Sequence, residues 1–231
     1  MLGTIVNSLS IIIGSLMGYF LKNQFSDDIK STIMQGLSLT VMLIGISMSI
    51  KTKNLLVVTL SIVTGAIIGE VLKIEEGLNK IGGQLEKRFS NNEGEFTKAF
   101  VTASLVYCVG AMAIMGSIES GLNGNHSILL VKSILDGVSS IVFTSSLGIG
   151  VAFASIPVFI YQGAITLSAK FIKAYLNDDV IREMTATGGL LIFGIGINML
   201  SGNSRIKVGN LLPAIFTVIF ITYMFLKFNF Y

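Results

Sequence analysis

Charge is what this chain has least of. Only 13% of its 231 residues are Asp, Glu, Lys or Arg, against about 25% in a typical soluble domain. Cysteine and histidine occur once each, as Cys108 and His126, proline twice and tryptophan not at all. A single cysteine excludes an intramolecular disulfide. Cys108 in an apolar block and His126 in the polar turn Asn123-Gly-Asn-His-Ser127 cannot make a structural zinc site. There is no glycine-rich phosphate loop, no His-Glu-x-x-His, no Gly-x-Ser-x-Gly and no carboxylate cluster with two histidines. The methionines are scattered through apolar stretches and read as core. An enzyme is therefore not expected, and no cofactor is implied. The net charge is only +3, and Lys and Arg gather at the ends of apolar blocks. That placement points to membrane orientation and away from nucleic acid.

What the chain has in plenty is apolar residues, 52% of the total, with a mean hydropathy of +0.79. They come in blocks near the length that crosses a bilayer, about 20 residues for a core of about 30 Å. A soluble helical bundle would need polar faces at the helical period. Thr4 to Phe20 and Leu55 to Leu72 have none. The 25 glycines suit helices that pack backbone to backbone in lipid. Met1-Leu-Gly3 has no basic n-region and no cleavage pattern follows the first block, so the first helix is expected to stay.

The blocks cover about 4–21, 33–50, 55–72, 99–117, 128–147, 149–169, 184–200 and 208–226. They imply an all-α integral membrane protein of seven or eight transmembrane helices, a single polytopic domain over 1–231. The longest connector, 74–96, carries Ile74, Leu78, Ile81, Leu85 and Phe89 at helical spacing among charges. It reads as an amphipathic helix on the membrane surface, or as an extension of the third span. The fifth block is the doubtful one, because it holds Lys132 and Asp136. Eight spans with the N-terminus outside leave nine basic residues inside and six outside. A re-entrant fifth block gives seven spans, with eleven inside and five outside, which the positive-inside rule prefers.

An internal repeat pulls toward eight. Asp27-Asp28 with Ile44-Gly-Ile-Ser-Met48 matches Asp178-Asp179 with Ile195-Gly-Ile-Asn-Met199 at one offset of 151 residues. The candidate units are 1–73 and 149–228, around a broken or re-entrant central segment, 97–148. With eight spans they insert upside down relative to each other, the inverted arrangement that places transport sites between repeats.

The most unusual stretch is Lys132-Ser-Ile-Leu-Asp136-Gly-Val-Ser139-Ser140. Lys132 and Asp136 are four apart and share a helix face, which Ser140 continues and Ser139 borders. Thr144, Ser145 and Ser146 follow. An intramembrane acid and base with hydroxyls reads as a substrate, ion or proton path, or else as a neutralised structural pair. Asn7, Gln162 and Asn198 are isolated amides in the first, sixth and seventh spans, serving either as interhelical glue or as ligands. The expected site joins Lys132, Asp136, Ser139, Ser140 and Gln162 to Asn7 and Asn198. An inorganic cation or small zwitterion suits one acid, one base and neutral oxygens, and no metal is specified. Glu70 reads as interfacial, and Pro157 is expected to kink or break the sixth span. Gly14/Gly18 and Gly65/Gly69 are close-approach faces that should bring the first and third helices together, within one protomer or across a homodimer.

The opening Gly3-Thr-Ile-Val-Asn7 with Ile11-Ile-Ile-Gly14 and Gly18, the central Val109-Gly-Ala-Met-Ala-Ile-Met-Gly116, Lys132-Ser-x-x-Asp136-Gly137, and Leu147-Gly-Ile-Gly-Val151 running to Tyr161-Gln-Gly163 resemble the bacterial YqgA/YdfK-like family. The resemblance covers nearly the whole chain. It implies a multi-pass protein of the bacterial cytoplasmic (inner) membrane, of a kind loosely described as transporters, and supplies no substrate. The expectation is a transporter or channel for a small ion or small polar solute, with the lipid bilayer as its surroundings. The rival is a non-transporting sensor or partner subunit that docks through 74–89 and keeps Lys132–Asp136 as structure.

Overall fold

The computed structural model describes residues 1–22, 26–89, 94–173, 175–200 and 206–228. Arg205, one of the basic residues facing the inside in the eight-span arrangement, and the C-terminal Tyr231 lie outside them. Every regular element among the described residues is a helix: α1 (Leu2–Lys22), α2 (Asp27–Ser49), α3 (Leu55–Leu72), α4 (Ile74–Phe89), α5 (Glu95–Cys108), α6 (Ala111–Leu122), α7 (Ser127–Leu147), α8 (Gly150–Phe153), α9 (Ser155–Leu167), α10 (Ala169–Lys173), α11 (Asp178–Leu200), α12 (Val208–Leu211) and α13 (Ala214–Lys227). Seven stretches among these are long and apolar enough to cross a membrane: α1, α2, α3, α7, α8–α9, α11 and α12–α13. The α5–α6 pair makes an eighth if it counts as one span.

The side-chain distribution is that of a membrane protein. On α7, Ile134 and Val138 are 68% and 58% exposed, while Lys132 and Asp136 are 7% and 6% exposed. Water would reverse that order, whereas lipid favours it. The chain is an α-helical integral membrane protein.

The doubtful fifth block is α7, one unbroken helix of 21 residues, about 31 Å long and so long enough to span. The expected break lies one block earlier. Gly110, at φ 140°, separates α5 from α6, which are bent by 60°. A positive φ of that size suits only glycine. The sixth block is interrupted only at Ala154, whose backbone stays helical. Pro157 lies in the first turn of α9, three residues after that interruption, where its missing N–H costs little, so the expected break falls just ahead of the proline. The connector helix α4 is not an extension of α3. Lys73 caps α3 in the left-handed region at φ 52°, which ends one helix and redirects the next.

Two compact units emerge from the packing. The first comprises Met1–Met34, Leu78–Cys108 and Met112–Ile172. In it, α1 and α7 run parallel in backbone contact: Gly3 meets Leu129, Gly14 meets the Gly137 carbonyl, and Gly18 meets the Ile141 carbonyl. Helix α9 packs on α1 and α5. Helix α4 is fixed to α5 because Gly82 admits Thr97 and Phe100, and Glu86 accepts the Phe96 N–H (3.2 Å) and Thr97 hydroxyl (2.6 Å). These bonds satisfy donors at the start of α5.

The second unit comprises Gln35–Gly77, Val109–Ala111 and Lys173–Tyr231. Helices α2 and α11 cross antiparallel in a reciprocal pattern. Gly45 meets Gly189 and Phe193, while Gly196 meets Ser38 and Met42. Adding 151 turns 45, 38 and 42 into 196, 189 and 193, so each contact has its mate. Helices α3 and α13 are also antiparallel: Gly65 meets Ala214, Gly69 meets the Asn210 carbonyl, and Thr217 donates to the Ser61 carbonyl at 3.2 Å. The two close-approach faces therefore have partners other than those expected. Gly14/Gly18 serves α7 and Gly65/Gly69 serves α13, and neither brings α1 to α3.

Candidate functional site

Helix α7 puts Lys132, Asp136, Ser140 and Thr144 on one buried face, because a four-residue step returns nearly to the same side of a helix. Lys132 Nζ donates to both Asp136 oxygens, at 2.9 Å to Oδ1 and 2.7 Å to Oδ2. Asn7 Nδ2, reaching across from α1, donates to Asp136 Oδ2 at 3.0 Å. Asp136 thus accepts three bonds in a place almost shut off from the surroundings. A buried pair holds only when its remaining hydrogen-bonding capacity is met in this way.

Beyond the pair, Tyr107 on α5 is 1% exposed and its hydroxyl lies 2.9 Å from Ser140 Oγ. Ser139 Oγ reaches the same phenol at 3.4 Å and donates to the Asp136 backbone carbonyl at 3.0 Å. Several buried atoms on α1 and α7 have no protein partner: Thr4 Oγ1, Asn7 Oδ1, Ser8 Oγ, Ser15 Oγ and Thr144 Oγ1. A buried polar group without a partner costs about 1–3 kcal/mol. Such atoms in a cluster are what a water, ion or transported species would satisfy.

The structure therefore joins Asn7, Lys132, Asp136, Ser139 and Ser140. Gln162 is fully buried on α9 with both amide atoms unpartnered, and no bond links it to Asp136. Asn198 is not brought in. Its amide is spent on Ile206, donating to the backbone oxygen at 2.7 Å and accepting from the backbone N–H at 2.8 Å, so it staples the end of α11 to the following loop in the second unit. No group of three or more His, Cys, Asp or Glu able to hold a metal occurs among the described residues.

Two buried polar groups were not among the candidates, one at this site and one in the second unit. Tyr107 sits in an apolar run beside Cys108 and reads as core until the fold carries its hydroxyl to Ser140. Glu183, fully buried in the second unit, accepts from Thr52 Oγ1 and from the Lys53 N–H at 2.9 Å. In sequence it looks like one more acid near a helix start. Glu70, near the end of α3, has an exposed side chain that accepts from Lys207 at 2.8 Å and Asn210 at 2.7 Å.

The chain is 32% identical over 232 residues to "Uncharacterized membrane protein YdfK" of Bacillus subtilis (strain 168), covering 97% of this chain and 98% of that one. It is 28% identical over 219 residues to "Uncharacterized protein YqgA" of Escherichia coli (strain K12), covering 93% of each. No solved structure matches. Residues 2–223 match the family described as "Protein of unknown function (DUF554)", and the chain belongs to that family.

Proposed function

We propose that this protein moves a small ion or polar solute across a bacterial cytoplasmic membrane, through a path that includes Asn7, Lys132 and Asp136. The observation that carries the reading is the buried Lys132–Asp136 pair midway along a spanning helix, ringed by hydroxyl and amide atoms without partners. Charge at that depth is costly and is kept mainly where it does work on a passing species. Within this reading the chain does no covalent chemistry.

An inverted repeat with eight crossings supports the same reading. The reciprocal contacts of α2 and α11 support a twofold relation between the candidate repeats 1–73 and 149–228. Bonding of Glu183 to Thr52 and Lys53 supports a reading with the two helix ends on one membrane face and an even number of crossings between them. Helices α3, α7 and α8–α9 supply three, and in this reading α5–α6 is the fourth. Lys207 and Asn210 bonded to Glu70 lead to the same count by way of α7, α8–α9 and α11.

The alternative, a sensor or partner subunit, draws on the exposed Ile81 of α4. The two are separated by liposomes containing the purified chain alone, given concentration jumps of Na⁺, K⁺, chloride, a zwitterionic amino acid or protons. Flux above protein-free liposomes for at least one is expected. No flux for any of them would overturn transport.

A further inference from the structure

We propose that the species Asp136 handles is a proton, passed along the α1–α7 seam; this deepens the transport reading and rests on it. Three observations meet here. The first is a ladder. Lys132, Asp136, Ser140 and Thr144 are all buried at successive four-residue steps, spanning about 18 Å of the membrane. Thr4, Asn7, Ser8 and Ser15 are buried on α1. The second is the set of unpartnered atoms at both ends of the ladder: Thr4, Ser8 and the Asn7 carbonyl toward the N-terminal end of α1, and Ser15 and Thr144 further along.

The third is tightness. A Cβ on Gly14 would collide with the Gly137 carbonyl, and one on Gly18 with the Ile141 carbonyl. The two backbones touch immediately beyond the pair, leaving no width there for an ion with its shell. Both Asp136 oxygens are also already bonded, to Lys132 and Asn7. A cation seeking six or so oxygen ligands finds no space between the touching backbones and an Asp136 carboxylate already engaged by two neighbours. A proton needs only a chain of groups that accept and donate.

The step balances simply. A hydronium ion gives up one O–H bond and leaves as water while a new O–H bond forms on an Asp136 oxygen, and the pair goes from net zero to one positive charge. The neutral acid no longer holds the Lys132 ammonium, which loses its counter-charge. The O–H bond then breaks as a water takes that proton and gives one of its own to the Ser140–Tyr107 hydroxyl pair, each hydroxyl accepting one proton and releasing another, and the carboxylate reforms against Lys132. The titratable groups facing Asp136 are Lys132 on its own helix and Tyr107 and Cys108 on α5. Helix α8 has none, and those of α1, Tyr19 and Lys22, lie at its far end.

The test uses the full chain in liposomes with an entrapped pH-sensitive dye, a potassium gradient and valinomycin to drive protons inward. Wild type should acidify the lumen faster than protein-free liposomes. Asp136→Asn keeps the shape and loses the proton site, so it should fall to the protein-free rate. Thr144→Val replaces a hydroxyl that has no protein partner, so it should fold normally and still slow the flux. Wild-type proton flux retained in a folded Asp136→Asn, or unchanged in Thr144→Val if Asp136→Asn does not fold, overturns the proposal. So does flux of Na⁺, K⁺, chloride or an amino acid with no proton movement, which leaves transport standing. Absence of every flux removes both.

Discussion

Asn7 and Asp136 stand 129 residues apart and meet at 3.0 Å, one from each of two parallel helices. That bond makes the acid a three-acceptor centre and ties α1 to the Lys132–Asp136 pair. The cost of disturbing it follows from burial. Removing one member of a buried ion pair typically costs about 3–5 kcal/mol, while replacing both with apolar residues is often close to neutral. Asp136→Ala and Lys132→Ala should therefore each lower thermal stability in detergent by that order. Lys132→Met with Asp136→Leu should recover much of the loss and yet transport nothing. A folded double variant with full flux would remove these residues from the path.

Glycine substitutions should divide by what the added methyl meets. Gly18→Ala drives it into the Ile141 carbonyl and Gly69→Ala into that of Asn210, neither of which can yield without moving a helix. Both should lose several kcal/mol, the scale of overpacking in a tight interface. Gly36 has nothing within 4 Å, so Gly36→Ala should gain about 0.5–1 kcal/mol from helix propensity. Equal melting temperatures for all three would contradict the helix contacts described.

The proposed eight crossings would put both chain ends on one side of the membrane, and with that number the basic-residue count favours the outside. A reporter fused at the C-terminus should read extracytoplasmic. Cysteines placed at Lys53 and Lys207 should label from opposite sides. A cytoplasmic C-terminus would end the eight-crossing arrangement and the inverted repeat with it.

Lys207 lies just outside the last span. Its hydrogen bond to the Glu70 carboxylate, and then that group's charge, hold its pKa above the ordinary lysine range. A raised folded pKa stabilises the protein below the unfolded value and stops doing so as pH rises through the folded one. Wild type should thus exceed Lys207→Met slightly at neutral pH, with the gap closing above about pH 10. Both side chains are 60% exposed, so the gap should be small and should shrink with salt. A gap that widens toward high pH would count against the pairing.

The sequence by itself determined the class of protein and the existence of the central pair. Scarce charge, apolar blocks of bilayer length and a four-residue step between Lys132 and Asp136 are local quantities, and local quantities can be read along a chain. It also determined the 151-residue offset that the contacts of α2 and α11 obey. Which helix receives which glycine face was not local. Gly14 and Gly65 carry the same small-residue signature, and only packing sends one to α7 and the other to α13. The same holds for the polar atoms. Asn7 and Asn198 are alike in sequence, each a lone amide in an apolar span. A side chain's role depends on what it reaches across space: Asn7 reaches Asp136, while the backbone of Ile206, held eight residues away, consumes both ends of Asn198. Tyr107 became a polar group rather than a core ring for the same reason, because the tertiary fold carried its hydroxyl to Ser140.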